Sequence, residues 1–101
     1  MLYRENEEGR IQNVYTLKIM NKSQQDANYV ISASGLPDLK LQGKTHVAIA
    51  AGELLSVPIE LSVAPEELPS STNTVVFHVE NAADPEVKDD ADSRFIGPTI
   101  R

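Results

Sequence analysis

Two imidazoles, His46 and His78, and the thioethers of Met20 and Met1 are the side chains of this 101-residue chain suited to a soft metal such as copper. The chain has no cysteine, so it holds no disulfide, no thiolate or iron-sulfur site and no thiol nucleophile, and no such cofactor is expected within it. Each histidine falls on the outward parity of an alternating stretch, opposite Val47 and Ile49 in one case and Phe77 and Val79 in the other. In a Greek-key sandwich the strands carrying them commonly belong to different sheets, which puts the two rings on opposite sides of the molecule, unable to share an ion. No metal site is expected; His46, His78 and Met20 are the residues on which an alternative reading, a copper-binding module, would rest.

Oxygen ligands are plentiful in Asp84, Glu86, Asp89, Asp90 and Asp92. The spacing lacks the glycine and the terminal glutamate of a calcium loop, so the stretch reads as a solvated loop before the last strand. There is no G-x-S-x-G and no G-x-x-x-x-G-K, and the serines fall in turns or at outward strand positions. No catalytic residue is therefore assigned and the domain is not read as an enzyme. "NKS" at 21–23 matches a glycosylation acceptor, although an asparagine closing the turn after a strand accounts for it equally. Arg4, Glu5, Glu7, Glu8 and Arg10 crowd around Gly9; a hairpin turn in solvent, with the glycine at positive φ, accommodates them.

The elements that must carry these residues are strands. In "LLSVPIELSV", 54–63, Leu55, Val57, Ile59, Leu61 and Val63 alternate with smaller or polar residues at the period of a strand with one buried face. Pro58 excludes a helix there and, lacking an N–H, points to an edge or a bulge. The same alternation places Tyr15, Leu17 and Ile19 inward on 13–21, Tyr29, Ile31 and Ala33 on 28–33, Val47 and Ile49 on 45–50, and Val75, Phe77 and Val79 on 73–80. Short edge pieces are expected at 2–5, 39–41 and 93–96. Pro65 followed by two glutamates can start one helical turn, with Leu68 closing the bottom of the core.

Seven or eight short strands with turn signals between them, and no βαβ alternation, predict an all-β fold: an antiparallel Greek-key sandwich of immunoglobulin-like or fibronectin-like type. A tryptophan and a cysteine pair, the antibody-type marks, are missing from the sequence. The length fits one domain, 1–101. A formal charge of −6 repels phosphate backbones and anionic lipid heads, so neither nucleic acid nor a membrane surface is an expected partner. No apolar run approaches the roughly 20 residues that span a bilayer, and Met1 running straight into Leu2 and Tyr3 reads as a start placed on an excised module.

The segments "LYRENEEGRIQNVYTLKIMNKSQQDANYVISASGL", "LQGKTHVAIAAGELLSVPIELSVAPEEL" and "SRFIGP", with their motifs Y-R-E-N, N-x-Y-x-L-K-I-x-N-K and F-I-G-P, resemble the C-terminal immunoglobulin-like domain of the FixG/CcoG family, the cytochrome c oxidase accessory proteins. The resemblance covers almost the whole chain. It implies a parent protein in the bacterial inner membrane that carries iron-sulfur clusters and helps mature the copper centre of an oxidase, plausibly by reducing copper. The fragment would then be a non-catalytic module on the periplasmic side, docking an oxidase subunit, a copper carrier or another part of its own protein. None of the family's cysteine motifs lies in these residues, so no redox residue carries over. Sandwich domains bind through edge strands and end loops, which singles out Glu7, Glu8 and Gly9 in the first turn and the strand bearing Pro58. A carbohydrate-binding sandwich is a further alternative, but the aromatic residues it would present are few and mostly inward.

Overall fold

The computed structural model describes residues 3–98. These form β1 (Arg4–Glu5), β2 (Ile11–Met20), β3 (Ala27–Ser34), β4 (Lys40–Gly43), β5 (His46–Ile49), β6 (Leu54–Val63), β7 (Thr72–Asn81) and β8 (Lys88–Ile96), with a single 3-10 turn at Pro65–Glu67. One sheet has the order β1-β2-β6-β4 and the other β5-β3-β7-β8, and every pairing is antiparallel. From β2 to β7 the chain changes sheet at each connection, and only β1–β2 and β7–β8 are hairpins within a sheet. This is the expected immunoglobulin-like Greek-key sandwich.

Alternation decides the interior. On β6, Val57, Ile59, Leu61 and Val63 are buried, facing Ile31, Val75, Phe77 and Phe95 from the other sheet's strands across one core. Leu68, just after the 3-10 turn, closes that core at 5% exposure. Polar groups inside the shell are all satisfied: no buried side-chain nitrogen or oxygen among the described residues lacks a hydrogen bond. Three asparagines supply much of that. Asn21 donates to the carbonyls of Gln25 and Ile49 and accepts from Ser23, Asn73 donates to those of Ser70 and Phe95, and Asn13 both donates to and accepts from the backbone of Ile96.

Two expectations change, and a third holds locally. The acidic stretch is only partly a loop, because β8 begins at Lys88 and pairs with β7 along its whole length. Aspartate disfavours strands, but an edge strand leaves charged side chains in water while the ladder with β7 satisfies the backbone. Pro58 lies in an interior strand, yet its missing N–H does face an edge, as expected: β4 stops at the pair Gly43–Ile59, so at Pro58 β6 has β2 as its one neighbour. Leu55 has inward parity yet is 36% exposed, and Tyr15 and Leu17 are only half-buried, although Ile19 beyond them on β2 is buried. The edge piece expected at 2–5 is β1, and Leu2, like Met1, lies outside the described residues.

Candidate functional site

The first turn is built by Asn6. Its side-chain oxygen accepts from the backbone N–H of Glu8 and of Arg10, both at 3.0 Å, while its carbonyl accepts from Gly9. Gly9 has φ +77° with open space around it, and Glu7 and Glu8 are exposed beside it. With Arg4 and Gln42 they border a shallow polar depression of about 420 Å³. Arg10 does not belong to this solvated cluster. It is buried at 8% exposure, with Nε donating to Ser62 Oγ at 3.0 Å, Nη2 to the Ser62 and Asp38 carbonyls, and Nη1 to Asp38 Oδ2 at 2.7 Å. The hydrogen bond from Arg10 holds the Asp38 carboxyl below its ordinary value against an opposing cost of desolvation, and the guanidinium charge adds to the lowering. Pro58 is exposed on the outer face of β6 opposite Thr16, four residues along β2 from Gln12 at the hairpin. The turn and the proline thus share a face without forming one patch.

The histidines lie in one sheet, not in different sheets. His46 on β5 pairs with Val30 of β3, and His78 on β7 pairs with Ser32 of β3, so both rings project from the same outer face. Two strand spacings and a two-residue step still separate them by about 12 Å, too far to share an ion. His46 contacts Thr45 Oγ1, and Met20 is exposed on the other sheet. Among the described residues no three His, Asp or Glu side chains converge on a point that could hold a metal. The aspartates of β8 alternate between faces, as a strand requires: Asp90 and Asp92 point outward and Asp89 has inward parity. Asn21 spends its amide hydrogens on Gln25 and Ile49 and is fully buried, which gives it the turn-closing role and closes it to a glycan.

The register creates one constellation that the sequence does not reveal. Ser34 Oγ lies 2.8 Å from His78 Nε2, and His78 Nδ1 lies 2.7 Å from Asp90 Oδ1. The order and distances are those of a nucleophile, base and orienting carboxylate. The setting differs from a hydrolytic site. The three residues stand side by side on an open sheet face, with His78 and Asp90 side chains 36% and 57% exposed. The backbone N–H groups between these paired strands serve the sheet ladder, so no donor pair is aimed at a developing oxyanion. The arrangement links β3, β7 and β8 across their outer face.

The other concavity lies between the sheets, along the seam where β2 faces β8. It has a volume of about 420 Å³ and a mostly apolar lining that includes Leu17, Ile19, Phe77 and Val79. Tyr15 packs edge-on against Phe77, one of the lining residues, with ring centroids 5.0 Å apart, and burial pushes the Tyr15 phenol up to about 12. No helix among the described residues is long and apolar enough to cross a membrane.

Comparison with known proteins places this architecture. A comparison with curated protein sequences gives no match. Among solved structures, the crystal structure of a FixG-related protein from Vibrio parahaemolyticus superposes with a TM-score of 0.82 at 32% sequence identity, covering 93% of this chain and 89% of that one. A family model described as "IG-like fold at C-terminal of FixG, putative oxidoreductase" matches residues 1–98. The chain therefore belongs to the FixG C-terminal immunoglobulin-like family.

Proposed function

We propose that this domain is a non-catalytic interaction module of a membrane-anchored, iron-sulfur FixG-type oxidoreductase, held on the periplasmic side of the bacterial inner membrane, where it serves assembly of a cytochrome c oxidase and maturation of its copper centre. The observation that carries the reading is the family match over residues 1–98, to an immunoglobulin-like domain described as lying at the C-terminus of FixG. The side chains support it. The chain has no cysteine to hold a cluster, and the nucleophile-like grouping among the described residues, Ser34–His78–Asp90, stands on an open face without an oxyanion site. Redox chemistry then belongs to other parts of the parent protein, and this part offers surfaces: the Glu7–Glu8–Gly9 turn, the Pro58 face and the apolar seam. The partner is an oxidase subunit, a copper carrier or the remainder of the parent chain.

The test compares the full-length parent protein with a version lacking these 101 residues. The expected result is loss of co-isolation with oxidase subunits or the copper carrier while the iron-sulfur absorption spectrum is retained. Unchanged co-isolation and unchanged oxidase copper content in the truncated protein would refute the reading.

A further inference from the structure

The seam between β2 and β8 is stitched at one end and open at the other. At the stitched end the Asn13 amide donates to the Ile96 carbonyl at 2.8 Å and accepts from its N–H at 2.9 Å, and the Tyr15 hydroxyl donates to the Arg94 carbonyl at 2.8 Å. Side chains of β2 thus occupy the place of a neighbouring strand on the β8 edge. Backbone polar groups alternate sides along a strand. With Ile96 and Arg94 turned toward β2, those of Asp92, Asp90 and Lys88 face the same seam. The next β2 residues in step are Leu17 and Ile19, which have no hydrogen-bonding side chain.

The interior is under-filled at that end. The β8 residues in register with Phe77 and Val79 are Ala91 and Asp89, and both are exposed. What remains is the 420 Å³ groove, floored by Leu17, Ile19, Phe77 and Val79 and bordered by a strand edge with no strand beside it among the described residues.

We propose that this groove receives an extended polypeptide segment that adds to the β8 edge over residues 88–92, with every second side chain apolar and the alternate ones basic. The proposal deepens the interaction reading above and rests on it. Strand addition satisfies the outward backbone groups of residues 88, 90 and 92, with the Asp90 N–H exchanging its 3.1 Å bond to Asp89 Oδ1, and the added strand's inner side chains cover Leu17 and fill the space beside Ala91. Its outer side chains lie next to Asp90 and Asp92 and, at the end of the range, Lys88, while Lys18 and Lys22 also line the groove. Opposite charges at neighbouring cross-strand positions are favourable and like charges unfavourable, so the occupant is basic where it passes Asp90 and Asp92, and the net charge of −6 favours a cationic partner. A second copy pairing through its own β8 would set Asp90 against Asp90 or against Asp92, with Lys88 opposite Asp92 in the first of these registers only.

Fluorescence anisotropy with the 101-residue chain at physiological salt tests this, using three labelled nine-residue peptides: alternating valine and lysine, alternating valine and glutamate, and the first composition with its lysines grouped. The alternating basic peptide is expected to bind at least about tenfold tighter than the other two. N-methylation of the peptide amides that would face β8 should abolish binding. Asp92→Lys, an exposed change, and Ala91→Trp, which fills the groove, should each weaken it by about tenfold, with the unfolding midpoint reporting that each variant is folded. Absence of binding, equal binding of the grouped-lysine peptide, or indifference to both Asp92→Lys and N-methylation would overturn the proposal. Failure here with domain-dependent co-isolation intact in the parent protein refutes the groove and leaves the interaction module standing. Peptide binding with co-isolation that survives removal of the domain does the reverse.

Discussion

Removing the Arg10 guanidinium tests whether the first turn is anchored from inside. In Arg10→Ala the hydroxyl and carbonyl of Ser62, a residue 6% exposed, lose donors at 3.0 and 2.9 Å. Hydrogen bonds involving a charged group contribute about 1.5–3 kcal/mol each, and water entering the vacated space restores part of that, so the two together are worth about 2–4 kcal/mol. The bonds to Asp38 are left out of this figure because its carboxylate is solvent-exposed and rehydrates. For a domain of this size the corresponding fall in Tm is between about 10 and 30 °C. Urea denaturation at neutral pH should show a lower midpoint at constant slope, whereas Glu7→Ala, three residues away on the solvated side of the same turn, should stay within about 0.5 kcal/mol of the parent.

The pH dependence supplies an independent check. Asp38 is held below its ordinary value of 3.8 by Arg10, so the unfolded chain takes up this proton at a higher pH than the folded one. The contribution is fully present above the unfolded value and is lost as pH falls through the folded one. The parent should therefore lose stability below about pH 4, and the gap between parent and Arg10→Ala should narrow as it does. A loss under about 1 kcal/mol at neutral pH, or a gap that does not change on acidification, would refute the internal clamp.

Gly35→Ala should destabilise by about 1–3 kcal/mol, because its φ is +119° and an added Cβ would lie 2.8 Å from the Thr74 carbonyl oxygen; Gly9→Ala, in open space at φ +77°, should cost less in the same denaturation series. In an absorbance titration at 295 nm one tyrosine should ionise late, at about 12, and Tyr15→Phe should remove that component. Because the unfolded chain ionises this phenol near its ordinary value, Tyr15 also makes folded stability decline as pH rises through the interval between the two. Leu61→Ala, at a fully buried site, should cost about 2–5 kcal/mol, and Leu17→Ala, half-buried at the open seam, should fall at or below the low end of that range; equal losses would show that the seam is closed in solution.

Parity along the chain is a local property, and it reads correctly wherever a strand has a sheet over its inner face, as Val57 to Val63, Ile31, Val75 and Phe77 show. Arg10 is misread because it sits beside Glu7, Glu8 and Gly9 in sequence, while its partners are 28 and 52 residues away. The histidines are misassigned because alternation says which way a ring points from its strand, but not which sheet the strand joins. Ser34, His78 and Asp90 meet only through the registers of three strands. The remaining departures cluster in space. Leu17 has inward parity but is incompletely covered, and Ala91 and Asp89 stand where large apolar side chains would complete the core; all three line the same groove. A sequence tends to break its own pattern where another requirement overrides stability. A chain selected only to fold would carry Val or Ile at 91 and a neutral residue at 89, and would bury Leu17. This chain keeps an aspartate-rich edge strand over an apolar groove, an arrangement that costs stability in the isolated domain and is recovered when a strand of complementary pattern fills it.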